Sequence, residues 1–279
     1  MSKTFIDNCF DSLRALAKIA LQSRRCRLKK AAGASDTLII LANGPSLNDT
    51  IAAHLTQLQK SDTLAVNMAA NAPVFKELQP NYYLLADPYF FSGKDDENLR
   101  SLWINISGAS WPMTLFVPAK DAAKAKEILK NKGAANITLQ TFNAVGIEGF
   151  RSLTHAAFRR RMAMPRPRNV LIPSIMAGIW LGYKKIILTG ADHSWLETLS
   201  VSDDNEVISV QKHFYADNTR ELTRVRHEYR NYTIDQILES MAIAFRSYHQ
   251  IAAYARRAGV SILNATPGSY IDAFPRTNL

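Results

Sequence analysis

Cysteine is almost missing from this chain. Among 279 residues only Cys9 and Cys26 occur, both within the first thirty. That excludes a disulfide framework or a cysteine-built metal site in the body of the protein, and a reducing, cytoplasmic setting fits. Long apolar runs are missing too: no stretch reaches the roughly 18 residues that a membrane-spanning helix needs. Phe5 to Leu21 is interrupted by Asp7, Asp11, Arg14 and Lys18, where the core of an export signal is uncharged, so no such signal is expected. Common site signatures are absent as well. There is no Gly-x-Gly-x-x-Gly after the first strand and no Gly-x4-Gly-Lys-Ser/Thr, which counts against a dinucleotide dehydrogenase and a P-loop kinase. No Gly-x-Ser-x-Gly elbow of an α/β-hydrolase occurs. Asp-x-Asp does not occur either; Asp203 and Asp204 are adjacent and flanked by Ser and Asn.

What the chain does have is positive charge, unevenly placed. The formal net charge is +10. Residues 1–35 hold Lys3, Arg14, Lys18, Arg24, Arg25, Arg27, Lys29 and Lys30 against Asp7 and Asp11. In the same segment Phe5, Ile6, Cys9, Phe10, Leu13, Leu16, Ala17 and Ala20 recur at helical spacing and form one apolar stripe. A basic amphipathic helix of this kind suits peripheral contact with an anionic membrane. It equally suits packing of the stripe on the domain or on a partner subunit, with a solvated basic tail. Nucleic acid is not expected as a partner, because no aromatic residues interleave with the basic run.

Residues 36–279 read as a single α/β domain. Apolar strands at Thr37–Leu41, Thr63–Val66, Tyr82–Leu85, Met113–Val117, Ile137–Leu139, Lys185–Leu188 and Ser261–Leu263 alternate with helical stretches at 48–58, 119–131, 175–181 and 234–257. This alternation predicts a single doubly wound, mostly parallel Rossmann-like sheet. Two stretches break the pattern: 141–170, with Arg159, Arg160, Arg161, Arg166 and Arg168, and the polar segment of about 195–232, which reads as a lid insert.

Four strands end in polar, turn-forming residues: Asn43-Gly44-Pro45-Ser46, Asn67, Asp87-Pro88 and Gly190-Ala191-Asp192. In a parallel sheet these ends share one edge and converge on one crevice. Gly44 allows close backbone approach to a ligand. Ser46 is expected to cap the next helix, whose N-terminus favours an anion such as phosphate. Asparagine offers both donor and acceptor, which suits a base edge or ribose hydroxyls. The stretch from Asn264 to Asp272 follows the last strand and is expected to extend the same edge, with Thr266 or Ser269 near the ligand.

These residues resemble those of bacterial CMP-sialic-acid-dependent sialyltransferases of the lipooligosaccharide type, whose GT-A-like first strand runs into Gly-Asn-Gly-Pro-Ser-Leu. Val66-Asn67 resembles the family's Cys-Asn, and Ala86-Asp87-Pro88 sits where the family has Asn-Pro. The segment from Pro173 to Asp192 resembles the family's Thr-Ser-Gly…Leu-Gly-Tyr-Lys-Glu-Ile-Tyr-Leu-Ser-Gly-Ile-Asp and is the longest match. The likeness spans roughly 37–274, thinly between 90 and 165. Same-fold pterin diphosphokinases and flagellin-modifying proteins share the Asn-Gly-Pro-Ser and Gly-x-Asp loops.

The resemblance implies a glycosyltransferase that moves a sialic-acid-like or other 2-keto sugar from a CMP-linked donor to a glycan or glycolipid acceptor, with inversion and without metal or cofactor. It places Asn43 and Ser46 on the nucleotide phosphate and sugar, Asn67 and Asp87 on ribose or donor hydroxyls, and Ser174 and Gly190 around the cytosine. Asp87 replaces the family's Asn, and Ser194 its phosphate-binding Tyr, which leaves phosphate contacts to His193, Tyr215 or the arginines. The family's base is a lid histidine. His213 has the better local resemblance, while His227 is closer to the following helix; a neutral imidazole suits the task at ordinary pH. The resembling enzymes form tetramers, but the sequence does not fix whether this chain is a homo-oligomer; a cytoplasmic protein is expected, peripheral on the inner face of the cell membrane if the basic helix docks there. The rival readings are a Mg²⁺- and ATP-dependent pterin-type diphosphokinase and a non-catalytic nucleotide-binding protein of glycan assembly.

Overall fold

The computed structural model describes residues 4–31, 33–208, 214 and 232–279. Its strands are β1 (Thr37–Leu41), β2 (Asp62–Val66), β3 (Tyr82–Leu84), β4 (Met113–Pro118), β5 (Ile137–Phe142), β6 (Lys185–Thr189), β7 (Ser200–Val201), β8 (Val207–Ile208) and β9 (Ser261–Asn264). Seven of them form one sheet in the order β5-β4-β3-β2-β1-β6-β9. Every pairing in it is parallel. The helices are α1 (Phe5–Gln22), α2 (Leu47–Gln59), α3 (Phe75–Leu78), α4 (Glu97–Ser107), α5 (Ala122–Asn131), α6 (Arg151–Arg159), α7 (Leu171–Leu181) and α8 (Ile234–Ala258).

Parallel strands covered on both faces need apolar residues at consecutive positions, and β1 shows why. Leu38 and Ile40 point into a core shared with α7 and α8, while Ile39 and Leu41 point into a second core shared with α2 to α5. The sheet grows from β1 to β5 with its crossover helices on one face. It then restarts at β6 on the other side of β1, with α7 on the opposite face. Right-handed crossovers force this change of face whenever the direction of strand addition reverses. The reversal fixes a topological switch point between β1 and β6.

The strand ladder matches the sequence expectation to within a residue or two, apart from β5, which runs three residues further. The stretch 141–170, expected to lie outside the alternation, contains α6. The helix expected from 175 begins at Leu171. Asn169 caps it, its Oδ1 accepting the N–H groups of Leu171 and Ile172 at 3.1 and 3.4 Å. All eleven residues of α7 are buried, which suits a helix apolar on every side. Within the polar segment 195–232 the described residues form a short 3-10 turn, Ser194–Thr198, and the antiparallel β7–β8 pair.

The first helix packs on the domain, but chiefly by a side other than the stripe. Its buried side chains are Ala15 and Ile19, and Ser12 Oγ accepts the N–H of Phe150 at 3.0 Å. Most of the apolar stripe is left at the surface: Phe5, Ile6, Phe10, Leu13 and Leu16 are each more than half exposed, as is Leu21, although the Phe5 ring lies 5.4 Å from that of Phe150. Small residues made the close contact possible, since Gly149 lies so near Ser12 that a Cβ there would come within 2.5 Å of its Oγ. After the helix, the Asn143 side chain clamps the Arg24 backbone, accepting its N–H at 2.8 Å and donating to its carbonyl at 2.7 Å. Because Asn143 follows β5 directly, the end of α1 sits at the same edge of the sheet as the strand-end loops. Among the described residues no helix is long and apolar enough to cross a membrane.

Candidate functional site

At a switch point the loops on either side of the central strand diverge and leave a crevice. Here those loops are Ala42–Ser46 after β1 and Gly190–His193 after β6. They are latched together. The Gly44 N–H donates to the Gly190 carbonyl at 2.8 Å, continuing the β1–β6 ladder past the strands. Ser46 Oγ donates to Asp192 Oδ2 at 2.8 Å, and the Ser46 N–H reaches Asp192 Oδ1 at 3.3 Å.

Both glycines are required by space. A Cβ on Gly44 would fall 1.8 Å from Asp192 Oδ2 and 2.6 Å from the Gly190 carbonyl oxygen. Gly190 has φ +63, and a Cβ there would meet Leu47 at 2.8 Å. Only glycine adopts that φ without strain.

Ser46 does not cap α2 through its side chain as expected. Its backbone is already helical and its hydroxyl makes no cap bond, because it is drawn instead to Asp192. The anion at the start of α2 is therefore a residue of the protein. The dipole of the helix and the Ser46 N–H stabilise a carboxylate there as they would a phosphate, and a phosphate placed directly beside it would be repelled.

Asn43 lies beneath this latch, 8% exposed, and its Oδ1 is buried with no hydrogen-bond partner. A buried acceptor without a donor costs on the order of 1–3 kcal/mol, which an incoming N–H or O–H would remove. Phe214 closes over the same loop: its N–H donates to the Asn43 carbonyl at 3.0 Å, and its own carbonyl accepts from Asn48 Nδ2 at 3.1 Å. Its ring is buried in the core on the α2 side.

His193 is held in a network that sequence reading missed. Its backbone has φ +55, its ring lies 4.2 Å from the Trp195 ring, and Nε2 is 2.6 Å from Tyr248 Oη. Tyr248 in turn donates to Asn169 Oδ1 at 2.9 Å. Since that oxygen also accepts two backbone N–H groups, Tyr248 must be the donor there. His193 then donates through Nε2–H, and its Nδ1 carries the lone pair. Burial drives its pKa down to about 3, so His193 is neutral at ordinary pH and is no cation for a phosphate. Burial raises the pKa of Tyr248, keeping it a phenol. Asn169 and Tyr248 lie far from His193 in sequence and carry no motif, so no local signal marked them.

The other expected residues divide by position. Asn67, at the end of β2, has φ +51; Tyr83 Oη donates to its carbonyl at 2.6 Å. Asp87 follows β3 and accepts the Tyr89 N–H at 2.8 Å; it is exposed. Ser174 is wholly buried inside α7, its hydroxyl donating to the Val170 carbonyl at 2.8 Å, and so does not stand on the crevice wall. Thr266 and Ser269 brace the β6 loop: Thr266 Oγ1 accepts the Ala191 N–H at 3.0 Å and Ser269 Oγ donates to the Ala191 carbonyl at 2.6 Å. His213, Tyr215 and His227 lie outside the described residues. Among the described residues no three His, Cys, Asp or Glu side chains gather where they could hold a metal ion.

In fold, the chain resembles a glycosyltransferase. The solved structure of MAf glycosyltransferase from Magnetospirillum magneticum AMB-1 superposes with a TM-score of 0.50 over 99% of this chain, at 11% sequence identity. The chain spans 39% of that protein's length. At this identity the likeness is one of architecture. No protein-family model matches the sequence, and no curated protein matches it.

Proposed function

We propose that the chain is a glycosyltransferase that takes a sialic-acid-like or other 2-keto sugar from a CMP-activated donor and passes it to a cell-surface glycan acceptor. The observation that supports this most is the unpartnered Asn43 Oδ1 beneath two latched glycine loops at the switch point, on a fold similar to that of a glycosyltransferase. A pyrimidine nucleotide supplies donors of the right kind, the exocyclic amine of cytosine and the ribose hydroxyls.

In this reading Gly44 and Gly190 let the two loops close on each other beside the nucleoside, and Asn67 and Asp87 take donor hydroxyls from the neighbouring strand ends. Asp192 fixes the Ser46 hydroxyl and directs the donor phosphate away from the start of α2. Neutral His193 orients the β6 loop through Tyr248. His213, with His227 as the second candidate, removes the proton from the acceptor hydroxyl. That hydroxyl attacks the anomeric carbon as CMP departs, inverting the centre in a single displacement without a metal ion.

The test is thermal stabilisation by CMP, CDP, UDP, GDP and ATP, each in EDTA and in Mg²⁺, followed by turnover of a CMP-sugar. Stabilisation by CMP or CDP that survives EDTA is expected, and Asn43→Ala should abolish it. Stabilisation by ATP with Mg²⁺ alone would overturn the proposal in favour of a diphosphokinase. Binding of CMP with no turnover of any CMP-sugar would reduce the chain to a nucleotide-binding protein.

A further inference from the structure

The six exposed side chains Phe5, Ile6, Phe10, Leu13, Leu16 and Leu21 make α1 the largest grouping of exposed apolar residues among the described residues. A soluble protein does not keep such a patch uncovered without a partner for it. The helix is anchored by its other side, through Ala15, Ile19 and Ser12, so the apolar face cannot turn inward without breaking that seam.

Charge identifies the partner. On the helix itself Arg14 and Lys18 face the same way as Asp7 and Asp11, but the chain leaving it carries exposed Arg24, Arg25, Arg27 and Lys29 with no acid among them. Asp7 is engaged by Thr4 at the helix start. A second copy would bring the same surplus of positive charge against itself, and a symmetric contact must be self-complementary. A surface that is apolar a few ångströms down and negative above fits both halves, as an anionic bilayer does.

We propose that α1 and the basic residues after it dock the protein on an anionic lipid surface, with the apolar face among the acyl chains and Arg24, Arg25 and Arg27 at the headgroups. The Asn143 clamp holds the end of α1 at the strand-end edge of the sheet, so docking turns the crevice end of the molecule toward the membrane. Lipid binding itself does not depend on the proposed sugar transfer. Only its consequence, that the acceptor is lipid-linked and meets the crevice at the bilayer, rests on that reading.

The experiment is co-sedimentation of the full chain with vesicles of phosphatidylcholine and of phosphatidylcholine mixed with phosphatidylglycerol, over a salt series, beside sedimentation equilibrium without lipid. Binding that needs phosphatidylglycerol and weakens with salt is expected. The variant Arg24→Gln/Arg25→Gln/Arg27→Gln should bind on the order of a hundredfold more weakly, at about fivefold per basic residue. Phe10→Glu/Leu13→Glu should lose binding altogether while keeping the wild-type melting temperature and nucleotide response, since both residues are exposed. Absence of vesicle binding would overturn the proposal, as would equal binding to both vesicle types at all salt concentrations. A lipid-free dimer dissolved by Phe10→Glu/Leu13→Glu would also overturn it, assigning the face to a second copy.

Discussion

Replacing Gly44 by alanine tests the crevice latch directly. Gly44 does not have a left-handed φ, so the glycine is needed for room alone. The added methyl would sit 1.8 Å from Asp192 Oδ2, 2.6 Å from its Cγ and 2.6 Å from the Gly190 carbonyl oxygen. Neither obstacle yields cheaply: the carboxylate is on a short side chain held twice by Ser46, and the carbonyl belongs to the backbone directly after β6. Moving the carboxylate breaks charge-assisted bonds of about 1.5–3 kcal/mol, and moving the carbonyl breaks the Gly44 bond of about 1 kcal/mol. Inserting a methylene into a packed site by itself costs about 1–3 kcal/mol. These effects overlap, which puts the expected destabilisation near 3 kcal/mol. At about 2–4 °C per kcal/mol for a chain of this size, the melting temperature should fall by about 6–12 °C. A thermodynamic cycle identifies the cause. In an Asp192→Ala background the two nearest carboxylate atoms are gone and the Gly190 carbonyl remains, so Gly44→Ala should cost about 1–2 kcal/mol less. A neutral Gly44→Ala, or additive effects of the two substitutions, would refute the latch.

Tyr248→Phe removes the bridge between His193 and Asn169 and leaves their buried polar atoms without it, so a loss of about 1–3 kcal/mol is expected in chemical denaturation. His193 has a folded pKa of about 3, below its ordinary value of 6.5, so the neutral form stabilises the fold above pH 6.5. That stability is lost as pH falls toward 3, by up to about 1.4 kcal/mol per pH unit. His155 is shifted the same way by burial and by Arg257 and Arg151, so the check is the difference between wild type and His193→Gln, whose stability profile should be flatter by close to one proton near pH 5. Tyr83 both donates to the Asn67 carbonyl and accepts the Ala70 N–H at 2.8 Å; Tyr83→Phe should cost about 1–2 kcal/mol and weaken nucleotide binding through the loosened Asn67 turn. Asn67→Gly should be neutral or stabilising in a thermal melt, because glycine meets φ +51 without strain, whereas Asn67→Ala should cost on the order of 1 kcal/mol.

The sheet was readable because its physics is local. A strand covered on both faces shows as an uninterrupted apolar run, and Leu38–Leu41 and Ile186–Leu188 announce themselves without reference to their partners. The polar strand ends were readable for the same reason, since the crevice is made where those runs stop. What could not be read was side-chain pairing across long separations. Ser46 looks like a helix cap until Asp192, 146 positions on, is known to lie against it. Ser174 looks like a site residue until α7 is seen to be buried throughout. The stripe on α1 was correctly placed on one face, but periodicity says only that apolar residues share a side. It was Gly149 and Phe150, not the stripe, that decided which side of the helix met the domain.

The position of β1 also bears on how the molecule is born. Its two neighbours are β2, which follows at once, and β6, whose Thr189 pairs with Leu41. At ~5–20 residues per second, a ribosome needs on the order of ten seconds to deliver the intervening chain. During that interval β1 to β5 can assemble, while β1 waits as an edge strand with its hydrogen-bonding groups open, a template for any passing strand. The crevice does not exist in that half-made sheet, because one of its two walls has yet to emerge. A nascent chain stalled before residue 185 would carry most of the fold, only one wall of the site and its most adhesive edge uncovered. The helix α7, delivered just ahead of β6 and apolar on all sides, covers a face of β1 and leaves that edge for β6 to close.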